Sequence, residues 1–435
     1  MALSDSEKIV LAAVAYSAQF SHPLTQEEII KRCYKPGNIS QKKLELAIEK
    51  LLKLKKLVKQ NNYYTLAITP WAFRNRDQVS KKYLAIKKYK EEIISELVLL
   101  ANKIPWVLGV VITGSYAAGV VQEKHDLDFL IITKKNRLWL TRLIFLFLSA
   151  IKGRRPHLPG GDISHSWDFN FWLDETRLKM TKDSKTMYEA YEALQTRWVV
   201  NKENIKTRFY QENAWIKECF PFADFSLSNS NQDLIYDEQV SSGFGNYCDW
   251  LSMMLQLKYR EIRHGKQRAD VHSAFLHSNH TRQQILATWK ALYQLVLNKQ
   301  KIVLATGVFD VLHQEHMAFL KAAKIEGTML VVGLESDLRV KSMKGSSRPV
   351  YSEQERKRNL EQLKIADLVF VLPEEFSTPT DHLNLLKQIK PAVLAVSSHT
   401  AYLDTKKKLM SKVGGEVRVV REYNPDFSTT KLLQQ

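Results

Sequence analysis

Between Lys301 and Tyr423, five short apolar runs alternate with charged segments of helical periodicity. The runs are KIVLAT, TMLVVGL, ADLVFVL, AVLAVSS and EVRVVREY. Runs this short and this uniformly apolar need cover on both faces. The helical segments between them supply it, and each is long enough for a crossover between parallel neighbours. The pattern predicts a doubly wound parallel sheet over residues 300–435. Ligands of such sheets bind beyond the carboxyl ends of the strands. That places ATGVFDVLHQEH, which follows the first run, at a candidate site.

There the first strand delivers Thr306, Gly307, Phe309 and Asp310, and a helix opens near His313. Gly307 lets a ligand approach the backbone. The helix start offers free N–H groups and a partial positive charge, which favour phosphate. His313 and His316, three apart, share one face of the first turn and can donate to phosphate oxygens. In-line attack at an α-phosphate needs little more than such positioning and charge stabilisation.

GVFDVLHQEH resembles the G-x-F-D-x-x-H-x-G-H signature of the cytidylyltransferase-like family, which includes glycerol-3-phosphate cytidylyltransferases and heptose-phosphate nucleotidyltransferases. The resemblance implies a Rossmann-like domain that joins an NTP, CTP or ATP, to a phosphorylated sugar or alcohol and releases pyrophosphate. It assigns His313 and His316 to the phosphates. Lys344, within VVGLESDLRVKSMKGSSRPVYSEQERKRNLEQL, would meet the outer phosphates, with Arg348 and Arg356 following in step. Ser428, Thr429 and Thr430 in NPDFSTTKLL would hold the triphosphate. The wording KGSSRPV and GGEVRVV is most like the heptose-phosphate members. Two departures stand out: Glu315 occupies the signature's glycine, and the strand end that carries the acceptor contacts reads Ser397, Ser398, His399.

A second constellation lies upstream. TGSYAAGVVQEKHDLDFL places Ser115 eleven residues before Asp126. On a strand, Asp126 and Asp128 share a face. Paired carboxylates are costly without a cation, and Mg²⁺ with its oxygen ligands fits them. Gly114 and Ser115, at a turn before a helix, would meet a triphosphate. The arrangement resembles the polymerase-β-like nucleotidyltransferase superfamily over roughly residues 80–200. That implies an α+β domain within 76–299, a second Mg²⁺-dependent transfer to a hydroxyl, and a third carboxylate on a neighbouring strand. Asp168 in SWDFNFWLD is the candidate, with Asn170 on the same face as the alternative. Mostly helix is expected from there to about Asn298.

Residues 1–75 read as three helices, capped by Ser6, Thr25 and Ser40, and a hairpin at LVKQNNYYTLA. This order resembles a winged helix-turn-helix. Lys42, Lys43, Lys50, Lys53, Lys55 and Lys56 would then meet DNA phosphates; a packing module with a solvated lysine face is the competing reading. The net charge of +18 is spread over the chain: 12 basic and 6 acidic residues in 1–75, 32 and 24 in 76–299, 20 and 16 in 300–435. It favours anionic ligands without choosing among them. A nucleotide-responsive DNA-binding regulator with degenerate transferase domains is therefore the alternative to an α/β multidomain enzyme.

The most apolar stretch, Leu138 to Ile151, is 14 residues long and contains Arg142. That is short of the roughly 20 needed to span a bilayer. A buried helix is expected; a membrane-surface helix flanked by Lys134, Lys135, Arg137, Lys152, Arg154 and Arg155 is the alternative. No signal peptide is read at the start. Scattered Cys33, Cys219 and Cys248 fit buried thiols in a reducing cytoplasm. His264, His272, His277 and His280 lack metal-ligand spacing and are expected to be solvated. Dimers are common in the C-terminal family, so an oligomer is possible.

Overall fold

The computed structural model describes residues 3–69, 81–119, 126–154, 165–225, 243–264, 268–275, 279–297, 301–374 and 376–422. Ser428, Thr429 and Thr430 lie outside them.

The front of the chain forms α1 (Asp5–Ala18), β1 (Leu24–Thr25), α2 (Gln26–Lys31), α3 (Gln41–Lys53), β2 (Leu57–Gln60) and β3 (Tyr63–Leu66). The antiparallel sheet has the order β1-β3-β2, so the expected hairpin gains a short third strand. Ser4, not Ser6, caps α1: its hydroxyl accepts from Glu7 N, and the Glu7 carboxylate accepts from Ser4 N. Thr25 and Glu28 make the same reciprocal box on α2. Ser40 holds the N-cap position of α3 without a side-chain bond. The lysine face is partly consumed within the protein. Lys50 pairs with the buried Glu7 at 2.7 Å, and Lys56 donates to the carbonyl of Val296.

The middle of the chain contains α4 (Lys81–Asn102), β4 (Val107–Ile112), α5 (Gly114–Ala117), β5 (Leu127–Thr133), α6 (Leu138–Ile151), β6 (Trp167–Asp174) and α7 (Met187–Gln195). There follow β7 (Arg197–Asn201), α8 (Ile205–Glu212), α9 (Trp215–Cys219), α10 (Gly243–His264), β8 (Arg268–Ala269), β9 (Ser273–Phe275) and α11 (Asn279–Leu297). The mixed sheet has the order β7-β4-β5-β6-β9-β8, with only β5 and β6 parallel. The segment after β6 is mostly helix, as expected, but β7, β8 and β9 also join this sheet. They are short, and pairing defines them more than composition does: β7 with β4, β9 with β6 and β8 with β9. His272 does not stand free in solvent: its Nδ1 lies 2.6 Å from the fully buried carboxylate of Asp174. Cys33 and Cys219 are buried, but Cys248 is only half-buried.

The C-terminal part contains β10 (Ile302–Gly307), α12 (Gln314–Ile325), β11 (Met329–Leu334), α13 (Asp337–Lys344), α14 (Glu353–Gln362), β12 (Leu368–Val371), α15 (Pro379–Ile389), β13 (Val393–Ser397), α16 (Leu403–Ser411) and β14 (Glu416–Arg421). All five strands are parallel, in the Rossmann-like order β12-β11-β10-β13-β14. Alternate residues serve opposite faces. Val303, Ala305, Leu330 and Val332 pack with Leu320 of α12 and Leu360 of α14. Ile302, Leu304, Met329 and Val331 join a core that includes Leu292 and Leu295 of α11 and Leu386 of α15. α13 is started by Ser336, whose hydroxyl accepts from Arg339 N.

Candidate active sites

At the C-terminal end of β10 the chain turns through Phe309, whose φ of +43° lies in the left-handed region. Its ring folds back over Gly307, where a Cβ would stand 2.9 Å from the ring, so only glycine fits without displacing it. Phe309 then meets the edge of His316 at 5.3 Å. His313 is the N-cap of α12, and its ring stacks on His316 with centroids 3.7 Å apart and planes 24° apart. Burial pushes His316 down to about 4, and the neighbouring charges of His313 and Lys344 add to the shift. His313 is lowered by burial too, with Glu315 opposing. Both rings are therefore neutral near pH 7. They present donors at a helix start without two adjacent positive charges that would repel each other.

Glu315, the departure from the signature, does not stand between the two rings. Arg421 of β14 takes its carboxylate in a bidentate pair, Nε to Oε2 and Nη2 to Oε1, both at 3.1 Å. The acid added by the sequence is matched by a base 106 positions away, which no local motif reveals.

Asp310 and Arg356, expected at the nucleotide site, are both bonded to protein groups. Asp310 is buried and accepts from Arg348 Nη1 at 2.8 Å, Val350 N at 2.9 Å and Tyr351 N at 3.1 Å. Arg356 is fully buried. It donates to the carbonyls of Tyr351, Val308 and Glu335 at 3.0, 2.6 and 2.9 Å, and to Asp337 Oδ1 at 2.8 Å. Together they fasten the 348–356 segment beneath the ends of β10 and β11. Arg348 does both jobs in position: it pairs with Asp310 and its charge reaches Lys344. Lys344 is exposed by area at the end of α13. Desolvation of its ammonium, then the charge of Arg348, still holds it below the ordinary amine range.

The second site is built on β4, β5 and β6. Thr113 N donates to Asp128 O at 3.0 Å, which locks the turn after β4 onto β5. Gly114 follows at φ +66°, and a Cβ there would stand 2.2 Å from Asp128 Oδ2. The carboxylate thus rests against bare backbone. The parallel register pairs Asp128 with Asp168. Asp126, Asp128 and Asp168 are half-buried, and one oxygen from each lies within 4.8 Å of the others. Three carboxylates at that separation suit a hard divalent cation. The side chain of Asn170 lies outside the described residues. Ser115 stands on α5 beside the cluster, and Tyr116 anchors that helix by donating to Glu91 of α4 at 2.7 Å. Glu91 is held in turn by Arg197 of β7, with Nη2 at 2.8 Å from Oε2. Sequence reasoning missed this Tyr116–Glu91–Arg197 brace because its members come from three distant segments.

Comparison with known proteins fits this geometry. The cytidylyltransferase-like family model matches residues 304–434, and the nucleotidyltransferase domain model matches residues 73–186. The bifunctional protein HldE of Helicobacter pylori strain J99 is 36% identical over 171 residues, which is 39% of this chain and 35% of that protein. The bifunctional protein HldE of Campylobacter fetus subsp. fetus is 37% identical over 134 residues, 31% of this chain and 27% of that protein. The chain spans about a third of the length of the curated relatives it matches. Among solved structures, the lipopolysaccharide core biosynthesis protein from Thermoplasma volcanium GSS1 aligns over 29% of this chain and 99% of that one, with 26% identity and a TM-score of 0.25. The chain thus carries two domains of nucleotidyltransferase type.

Proposed function

We propose that the C-terminal domain transfers a nucleotidyl group from CTP or ATP to a phosphorylated sugar. A phosphate oxygen of the acceptor attacks the α-phosphorus in line, the α–β anhydride bond breaks, and pyrophosphate leaves with the electron pair. His313 and His316 donate to the phosphate oxygens as charge develops. Lys344 neutralises the leaving pyrophosphate, with Arg348 beside it. Ser428, Thr429 and Thr430 are assigned to the remaining phosphate oxygens. Gly307 and Phe309 shape the nucleotide's approach, while Asp310 and Arg356 hold the segment that carries Arg348. The observation that carries this reading is the stacked pair of neutral imidazoles at the start of α12, with Glu315 drawn aside by Arg421.

The middle domain is proposed to perform a second nucleotidyl transfer, to a hydroxyl. Asp126, Asp128 and Asp168 would hold Mg²⁺, which would supply charge neutralisation for a triphosphate. Gly114 and Ser115 offer backbone and hydroxyl donors to that triphosphate. The helix and strand order of residues 3–69 supports a winged-helix reading. Its role is taken as packing and not duplex binding, because two of its six helix-face lysines are engaged within the protein.

The test is pyrophosphate release by the full chain with CTP or ATP against a panel of sugar and alcohol phosphates. His316→Ala should abolish the sugar-phosphate-dependent release, and Asp126→Ala should leave it intact. Tight, salt-sensitive duplex binding that responds to NTP, without turnover on any acceptor, would establish the regulator instead.

A further inference from the structure

Exposed large apolar side chains are concentrated on one face. Of 23 among the described residues, ten lie on α6 and α10, two helices of 14 and 22 residues. Phe147 and Ile151 are each 64% exposed, Phe244 79%, Leu255 62%, and Trp250 51%.

The polarity of α10 is inverted relative to an ordinary surface helix. Its inward face carries the buried polar residues Asp249, Ser252 and Gln256 beside Met253 and Leu257. Asp249 accepts from Leu140 N at 2.8 Å, and Gln256 donates to the carbonyl of Trp139 at 2.9 Å while accepting from Arg142. These bonds, with Arg137 Nη1 on Asn246 Oδ1 at 2.8 Å, set the two helices side by side and parallel. Most of the large apolar residues of α10, Phe244, Tyr247, Trp250, Leu251, Met254, Leu255 and Tyr259, are left exposed. Such a patch is rare on a surface that meets only water.

The charge around it is one-sided. Residues 134–155 contain seven Lys or Arg and no Asp or Glu; Arg137 and Arg142 are buried and Lys134 pairs with Glu203, while Lys135 and, on α10, Lys258 are exposed. Lys152 and Arg154 share the single carboxylate of Glu96, so that end keeps a net positive charge. Two copies meeting at this face would bring like-charged fringes together, on a chain already at +18. An anionic surface would be attracted. The aromatic content suits the same occupant: Tyr247 and Trp250 lie with ring centroids 6.0 Å apart, and such rings favour the boundary between acyl chains and headgroups.

We infer that the α6–α10 face docks on the surface of an anionic phospholipid bilayer, with both helices in the interfacial plane and the lysine fringe on the headgroups. No described helix is long and apolar enough to cross a membrane, so the docking is peripheral. The inference stands apart from the transferase reading, since none of these residues belongs to either site.

The test is co-sedimentation of the full chain with vesicles of phosphatidylcholine alone and of an equal mixture with phosphatidylglycerol. Binding is expected only to the mixed vesicles. It should weaken as salt rises, and it should fall at least about tenfold in the double variant Phe147→Glu/Leu255→Glu, given the apolar area lost from the membrane. Both positions are exposed, so the variant should keep the wild-type melting temperature. Lys135→Glu/Lys258→Glu, which leaves the apolar residues in place, should also reduce binding. Failure to bind the mixed vesicles overturns the inference. If the protein instead sediments as a dimer that the Phe147→Glu/Leu255→Glu variant splits, the face is an interface between copies. Equal binding to both vesicle types would overturn the assignment to an anionic surface.

Discussion

Replacing Gly114 with alanine tests the central site with the fewest assumptions. At φ +66° an L-residue pays for the left-handed backbone, about 1–2 kcal/mol. The new Cβ would also stand 2.2 Å from Asp128 Oδ2, where an ordinary contact is about 3.4 Å, so the carboxylate must retreat by about 1 Å. Displacing one member of the Asp126–Asp128–Asp168 cluster by that much opens the triangle of oxygens. A misplacement of this size can cost about a hundredfold in rate. Gly114→Ala should therefore lose about 1–2 kcal/mol in urea unfolding. It should also bind Mn²⁺, a paramagnetic substitute for Mg²⁺, much more weakly than wild type when followed by electron paramagnetic resonance without substrate. Asp126→Asn is the reference for a lost ligand. The C-terminal pyrophosphate release should be unchanged. Wild-type Mn²⁺ affinity in Gly114→Ala would refute the reasoning, because the carboxylate would then not be resting on that backbone.

Three further outcomes follow from the C-terminal site. His316 ionises at about 4 in the folded protein against 6.5 in the unfolded chain, so the unfolded state binds the extra proton between those values. Its contribution to stability is present above pH 6.5 and is lost as pH falls toward 4; it is at most about 3 kcal/mol, less for partial exposure. His316→Gln should flatten that part of the stability–pH curve in urea titrations. Arg356→Met removes a buried cation and strands Asp337 and three carbonyls, so unfolding should become easier by about 3 kcal/mol, read from the urea midpoint, with the 348–356 segment gaining protease sensitivity. Arg421→Ala should release the Glu315 carboxylate toward the phosphates and weaken NTP binding in calorimetry, most at low salt. Adding Glu315→Gly to that variant should restore it, and no recovery would show that the pair does not guard the site.

The C-terminal sheet was legible because four of its five strands are apolar on both faces, and that demands helices on either side whatever the details. The same logic failed for β7, β8 and β9. Arg197–Asn201 carries a strand only because β4 lies beside it, and β8 and β9 are too short to display a period. α13 shows little apolar periodicity, and the cap at Ser336 is its local sign of a helix. Asp310 and Arg356 illustrate a different blindness. A motif records which residues accompany a site but not whether they touch the ligand or the backbone that carries the ligand's contacts. Both side chains are bonded to protein groups far apart in sequence, which no local motif displays. Glu315 looked like an obstacle from the motif alone, because its partner Arg421 lies on the last strand of the sheet.

The two candidate sites are also tied together by packing. Trp289 of α11 donates to the carbonyl of Ala12 in α1 at 3.0 Å, and Lys56 reaches the carbonyl of Val296. Leu292, Leu295 and Val296 of α11 belong to one continuous apolar cluster that runs from Val10 and Leu44 at the front to Leu304 and Val331 in the C-terminal sheet. At the other side, Tyr16 of α1 stacks on Tyr191 of α7 with centroids 3.8 Å apart. The front unit therefore covers apolar surface belonging to both transferase-type domains. Cutting the chain ahead of β10 would strip α11 and the front unit from the apolar cluster they share with Ile302, Leu304 and Met329. At roughly 25 cal/mol per Å² of apolar area, even a few such side chains amount to several kcal/mol, comparable with the whole stability of a domain. The small N-terminal helices thus serve as a shared lid on the core, and activity of either site is to be measured in the intact chain.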